Sequence, residues 1–273
     1  MNPISTCRVL STPCAVTCIE EFIATVRELA ARESGAVCVD FTNVHVVAQR
    51  RVDSEFRVLT DTMDFFVPDS QVLVWAVRRL GGKASRRAYG PTFFRACIAA
   101  APAPFTHYFL GASRDCLGKL QSAMLAVQPD LKIVGAHDGY FDPAEEEHIV
   151  GEINRLAPDF IWVGLGTPRQ QCWMHRNRAR IRRGVVMAVG FAFDVNAGTK
   201  PDAPAWMGRL GLTWLYRMFS EPRRLFWRYI KYNSIFLWHL AWQLIGRLFG
   251  RRSPPTTSQT SPDSKSPSDR ARP

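Results

Sequence analysis

The chain contains no Cys-x-x-Cys pair, and its seven cysteines, Cys7, Cys14, Cys18, Cys38, Cys97, Cys116 and Cys172, are scattered and odd in number. That distribution argues against a zinc site and against an extracellular disulfide framework, so a reducing cytoplasm is the expected compartment and no metal ligand set is expected. The first residues, MNPISTCRVLSTPCAVTCIEEF, carry one Arg and no uninterrupted apolar run, and no secretory signal is expected there. The most apolar stretch, Leu225 to Phe249, is broken by Arg228, Lys231, Asn233, His239, Gln243 and Arg247, far short of the ~20 clean residues a spanning helix needs. Acidic residues are in short supply, 24 against 35 Lys and Arg, and the resulting charge of +11 calls for an anionic partner or surface.

What is present fits one main domain with appendages, since 273 residues can bury one large core without disulfide or metal. The organising stretch is Asp159 to Gln171, DFIWVGLGTPRQQ. Phe160 to Leu165 reads as a strand buried on both faces, broken by Gly164 and Gly166. Thr167 and Pro168 are expected to cap and open a helix, so that its first free N–H groups make an anion site just past the strand. The full G-x-G-x-x-G pattern is absent, and a plain strand-to-helix turn is the competing reading.

Strands are expected at 36–41, 65–67, 107–111, 131–134, 160–165 and 185–189, alternating with helices at 18–33, 50–64, 71–80, 114–127, 143–156 and 170–183. Residues 1–18 show no clear period, and 83–95 reads as a basic loop around Tyr89, Gly90 and Pro91. The alternation predicts an α/β fold: an open, largely parallel, Rossmann-like sheet with helices on both faces and a ligand at the strands' carboxyl edge. At that edge stand Thr42 and Asn43, then Asp69 after Pro68, Gly135 with the following loop through Gly139, and Asp194. Asp69 has two readings, a helix N-cap or a general base whose pKa an apolar setting raises. Arg87 is either an anion contact or a solvated loop residue.

The runs VGLGTPRQQCWMHRN, VGFAFDVNAG and APAWMGRLGLTWLYRMFSEPRRLFWRY resemble the WecG/TagA/CpsF family of bacterial glycosyltransferases, over roughly residues 36 to 230. The family's usual pattern runs G-x-P-x-Q-E-x-W, V-G-x-x-F-D-x-x-A-G, R-A-P-x-W-M and L-E-W-x-x-R-x-x-x-E-P-x-R. The resemblance implies an inverting enzyme without a catalytic metal or cofactor. Such an enzyme moves a sugar from a UDP-sugar donor to a polyprenyl-diphosphate-linked acceptor on the inner face of the cell membrane, for capsule, exopolysaccharide or a related glycan. It implies Asp69 as the general base, with Thr42, Asn43, Arg87 and Gln170 among the polar residues of the substrate pocket. Gly135, Gly139, Gly164, Gly166 and Asp194 fall to the nucleotide, and Arg217, Arg224 and Arg228 to a basic segment closing over the diphosphate. With no D-x-D to hold Mg²⁺, guanidinium groups are the expected stabilisers of the leaving UDP. The sequence departs from the pattern at Ser70 (usually Gly), Gln171 (Glu), Asp202 (Arg) and Thr213 (Glu), and Phe41 stands where a polar residue is commoner.

Four segments follow: an N-terminal segment and first helix (1–35), the α/β transferase domain (36–220), a C-terminal membrane-associating and site-closing helical segment (221–250), and a Ser/Thr/Pro-rich tail (251–273) expected to be disordered. The aromatic, arginine-rich segment suits a helix lying in the headgroup plane, and the protein is expected to be peripheral on the cytoplasmic side. The other readings of that segment are a helix packed on the main domain and an oligomer interface, which keeps a second copy of the chain open as a partner. Two rival functions stand beside the transferase: a module binding single-stranded nucleic acid, which the resemblance disfavours, and a non-catalytic nucleotide-sugar-binding subunit.

Overall fold

A computed structural model of the protein describes residues 4–32, 35–249 and 258–259. The residues without a clear period form a hairpin, β1 (Ile4–Val9) and β2 (Thr12–Ala15), paired antiparallel. Their period is hidden because Cys7, Val9, Cys14 and Ala15 are buried, leaving no regular polar face to alternate with. The other strands lie near where the apolar runs place them, β3 (Gly35–Thr42), β4 (Phe65–Pro68), β5 (Thr106–Gly111), β6 (Lys132–His137), β7 (Phe160–Gly164) and β8 (Arg183–Ala188), except that β6 does not close at Gly135 but continues through it to His137.

These eight strands form an open sheet in the order β6-β5-β7-β8-β3-β4-β2-β1, in which every neighbouring pair except β1 with β2 is parallel. A two-residue strand, β9 (Ser258–Gln259), adds antiparallel to β1. Apart from those two residues, the expected disordered tail lies outside the described residues. Chain direction along the sheet splits between β3 and β8, so the loops leaving them diverge and open a crevice at their carboxyl ends.

The helices are α1 (Ile19–Ala30), α2 (Val44–Val52), α3 (Ser54–Thr60), α4 (Gln71–Arg79), α5 (Gly90–Ala100), α6 (Arg114–Val127), α7 (Glu146–Leu156), α8 (Arg169–Asn177), α9 (Ala192–Asn196), α10 (Ala205–Arg209), α11 (Thr213–Ser220) and α12 (Pro222–Leu248). Three expectations are corrected here. The single helix over 50–64 is two, because the Asp53 side chain accepts from Phe56 N–H at 2.9 Å and starts α3 afresh. The basic loop gives way at Gly90 to α5, whose first turn accommodates Pro91. The helix expected to run to Arg183 stops at Asn177, since Arg183 already belongs to β8.

Alternation along the strands sends Phe160 and Trp162 to one face and Ile161 and Val163 to the other. The first face packs Phe22 of α1, Phe93 and Phe94 of α5, Leu120 of α6 and Phe193 of α9. The second packs Ile149 and Ile153 of α7 with Trp173 and Met174 of α8. A third cluster joins the hairpin, α2 and α4 to Phe236 of α12, with Tyr232, Ile235, Leu240 and Leu244 against it. Phe236 and Leu225 are fully buried, each contributing about 2 kcal/mol of apolar transfer as an upper figure. Gln243 pins the helix further: its Oε1 accepts from Leu10 N–H at 2.9 Å and its Nε2 donates to the Arg8 carbonyl at 3.1 Å. So α12 does pack on the main body, along one face. Its other face exposes Trp227, Trp238, Trp242, Leu237 and Leu248. No helix among the described residues is long and apolar enough to cross a membrane.

Candidate active site

A cavity of about 570 Å³ opens at the carboxyl edge of the sheet. Residues at and beyond the ends of six strands line it: Asn43 after β3, Asp69 after β4, Ala112 after β5, Gly139 after β6, Gly164 at the end of β7 with Leu165 to Gln170 after it, and Val189 to Ala192 after β8. Arg217, Arg224, Arg228 and Tyr229 from α11 and α12 form the opposite wall. A second chamber of about 290 Å³ adjoins it. Asn43, His45, Asp69, Tyr89, Arg217 and Tyr229 line both.

Asp69 is held from three sides. Its N–H donates to the Thr42 carbonyl at 2.8 Å, fixing the end of β4 to the end of β3. The main-chain N–H of Gly90 donates to its Oδ1 at 2.6 Å, and Arg87 Nε donates to its carbonyl at 2.7 Å. The cap reading fails on a neighbour: Ser70 caps α4, its Oγ accepting from Leu73 N–H at 3.3 Å, and the Asp69 carboxylate is left to the cavity. Ser70, which departs from the family's usual Gly, thus has a local task. Burial pushes the Asp69 pKa above the ordinary carboxylate range, and the nearby Arg87, the Gly90 N–H and Arg217 oppose that rise.

Around it, Arg87 stacks over the Tyr89 ring at 4.0 Å and donates to the Thr213 hydroxyl at 3.3 Å. The Tyr89 hydroxyl donates to Asp202. Thr213 and Asp202 are two of the departures, so these two altered positions meet at the Arg87–Tyr89 corner of the site. Asn43 lines both cavities while its Oδ1 caps α2, accepting from Val46 N–H at 3.3 Å.

The glycine-rich turn differs in detail from the expected anion site. Pro168, not Thr167, occupies the cap position, no side chain caps α8, and the Thr167–Pro168 peptide is cis. The Gly166 N–H donates to Gln170 Oε1 at 3.2 Å, so Gln170 shapes the turn from within as well as lining the cavity. Gly166 sits at φ +77°, a conformation that strains other residues. At Gly139 a side chain would meet the backbone of Gly111 and Ala112 at 3.1 Å. Arg169 donates to the Gly139 carbonyl at 2.9 Å, tying the loop after β6 to the start of α8.

Two of the expected residues stand apart from both cavities. Thr42 is fully buried and its hydroxyl donates to the Asp40 carboxylate. Gly135 lies in the edge strand β6, where its missing side chain makes room for the Tyr108 ring. Gln171, another departure, donates from Nε2 to Asp40 Oδ2 at 2.6 Å, so Asp40 is a buried carboxylate held from two sides beneath the site. Burial raises its pKa, and the two hydrogen bonds oppose that rise.

The opposite wall is cationic. The Arg217 guanidinium lies over the Phe191 ring at 4.0 Å, and its Nε has no hydrogen-bond partner. Arg228 Nε is likewise buried without one. Burial pulls the Arg228 pKa down, and Arg224 and Arg217 add to that through repulsion. Lys200 bridges Asp194 at 3.7 Å and Glu221 at 3.1 Å, and Arg224 pairs with Glu221 at 2.5 Å. Lys200, Phe191 and Arg169 are site residues that the sequence pattern does not single out. His45 is visible in it as a polar residue just beyond a strand, whereas nothing in the spacing marks Lys200.

Residues 7–249 match the Glycosyl transferase WecG/TagA/CpsF family. The chain belongs to that family. It is therefore a glycosyltransferase, as its motifs imply. It is also similar to the N-acetylglucosaminyldiphosphoundecaprenol N-acetyl-beta-D-mannosaminyltransferase of Bacillus subtilis (strain 168), 29% identical over 202 residues, covering 74% of this chain and 76% of that protein. Among the described residues no cluster of three His, Cys, Asp or Glu side chains is arranged to hold a metal ion.

Proposed function

We propose that the protein transfers a sugar from a UDP-sugar to a saccharide on a polyprenyl diphosphate, with inversion, during synthesis of a surface polysaccharide at the inner face of the cell membrane. The observation that carries the reading is Asp69, a carboxylate at the junction of two cavities and facing a wall of arginines. The larger cavity, with the loops after β6, β7 and β8 on one side and the arginines on the other, suits a nucleotide diphosphate. An acceptor hydroxyl at the junction loses its proton to Asp69 as its oxygen attacks the anomeric carbon. The bond from that carbon to the diphosphate oxygen breaks, and the electron pair leaves with UDP. One displacement inverts the centre. Arg217, Arg224 and Arg228 supply positive charge where negative charge gathers in the transition state. A positioned general base contributes about 10²- to 10⁴-fold.

The relative's printed name supports an acceptor of the diphosphoundecaprenol class and an N-acetylhexosamine as the transferred sugar. The exposed tryptophans of α12 beside its arginines support residence on an anionic lipid surface rather than on a nucleic-acid strand. A panel of UDP-sugars with a GlcNAc-diphospholipid acceptor, read by product mass and anomeric configuration and repeated in EDTA, tests the reading. Inverted product that survives EDTA supports it; a retained centre or transfer abolished by EDTA overturns it. UDP binding without turnover on any donor would favour a non-catalytic subunit.

A further inference from the structure

The smaller chamber differs in chemistry from the cavity that suits the nucleotide. Beyond the wall it shares with that cavity, its lining is mostly apolar, with Val72, Trp214, Ile230, Phe236 and Leu237 beside polar groups such as Asn233 and Ser234. Ile230 and Leu237 are also part of the outer face of α12, 46% and 59% exposed, so the lining runs on into the surface that carries Trp238. At its inner end stand two guanidiniums. Arg87 donates to a main-chain carbonyl and to a neutral hydroxyl, and has no carboxylate partner among the described residues. Arg217 rests on an aromatic ring with its Nε unpartnered.

Passing outward, the chamber thus offers a base, then the Arg87 guanidinium with no carboxylate paired to it among the described residues, then an apolar wall that ends at the proposed lipid-facing helix. A glycosyl diphosphate on an isoprenoid presents its groups in the same order: hydroxyl, diphosphate, hydrocarbon. Resting on the reading above, we infer that the smaller chamber holds the first isoprene units of the acceptor lipid, with Arg87 at its inner end on the acceptor's diphosphate. Charge complementarity at one end and continuity with the α12 face at the other both select this occupant over a free sugar or a peptide.

The test needs no turnover, so its failure is separable from failure of the transferase reading. Farnesyl diphosphate and inorganic diphosphate are titrated by calorimetry into the full chain, without membranes. Three isoprene units entering an apolar chamber raise affinity on the order of 10- to 100-fold over inorganic diphosphate. The double variant Ile230→Asn, Leu237→Asn, which removes apolar lining without adding charge, removes that increment and shifts inorganic diphosphate binding by much less than farnesyl diphosphate binding. Trp227→Ser with Trp242→Ser, on α12 but outside the chamber, keeps it. Equal affinity for the two probes overturns the inference, as does an increment that survives the asparagines or disappears with the tryptophan variants.

Discussion

Gly90 N–H donates to Asp69 Oδ1 at 2.6 Å, so the aim of the carboxylate is set by the first turn of a helix 21 residues further along the chain. That bond favours the ionised form, while burial favours the neutral one and is the larger influence. A base works only when ionised. Transfer is therefore expected to fall as pH drops through a pKa above the ordinary Asp value of about 3.9, and a kcat/KM profile from pH 4 to 8, which reports the free enzyme, locates the limb. An acid limb at or below the ordinary value would exclude the buried setting as the tuning element.

The Arg217 guanidinium is positioned by a ring, not by a carboxylate, which leaves its charge available to the substrate. Arg217→Ala is expected to lower kcat on the order of 10²-fold, the scale of losing one preorganised donor. Phe191→Ala, which removes the platform but keeps the charge, should lower it by about tenfold with UDP affinity changed less than kcat. Steady-state kinetics with calorimetric UDP binding separates the two effects.

His45 ties the site to α12: its ring lies 4.2 Å from that of Tyr232, centroid to centroid. Burial, helped by Arg228, depresses its pKa to about 3. The folded state therefore binds fewer protons than the unfolded chain between the ordinary His value of about 6.5 and that depressed value, so stability rises with pH across the window and is lost as pH falls through it. His45→Phe keeps an aromatic ring against Tyr232 without a titrating group. Its melting temperature should drop less between pH 7 and pH 4.5 than that of the parent, and equal drops would remove His45 as a source of acid sensitivity.

Most of the sheet is legible in the amino-acid order alone, because β4, β5, β7 and β8 are short apolar runs closed by Gly or Pro and β3 is one opened by Gly35, and parallel strands buried on both faces read that way. The hairpin at the front is hidden for the opposite reason: two buried cysteines with Ile4, Val9 and Ala15 among polar residues leave no period. The helix breaks at Asp53 and Asn177 depend on one side-chain cap and on the start of a strand, neither of which periodicity registers. In the site, residues placed just beyond strands, such as Asn43, Asp69 and Gly166, can be found by position alone. Thr42 cannot be told from a lining residue that way, since only the fold shows its hydroxyl turned inward to Asp40. The cationic wall comes from helices more than 100 residues away from Asp69 in sequence, and only the motif resemblance links the two.

On α12, Trp227, Trp238 and Trp242 are 76%, 64% and 58% exposed and touch no part of the two cavities. Replacing all three with Ser is expected to weaken binding to anionic vesicles by at least tenfold in a flotation assay, more so at high salt, where the arginines contribute less. UDP affinity should be unaltered. Undiminished flotation would assign the face to some other contact.

The most direct measurement compares the parent protein with Asp69→Asn, which keeps the oxygen that accepts from Gly90 but cannot take a proton. Transfer should fall by about 10²- to 10⁴-fold, with UDP binding by calorimetry unchanged and the acid limb of the pH profile gone. Full transfer by Asp69→Asn, or the same limb persisting in it, would contradict the assignment of Asp69 as the base.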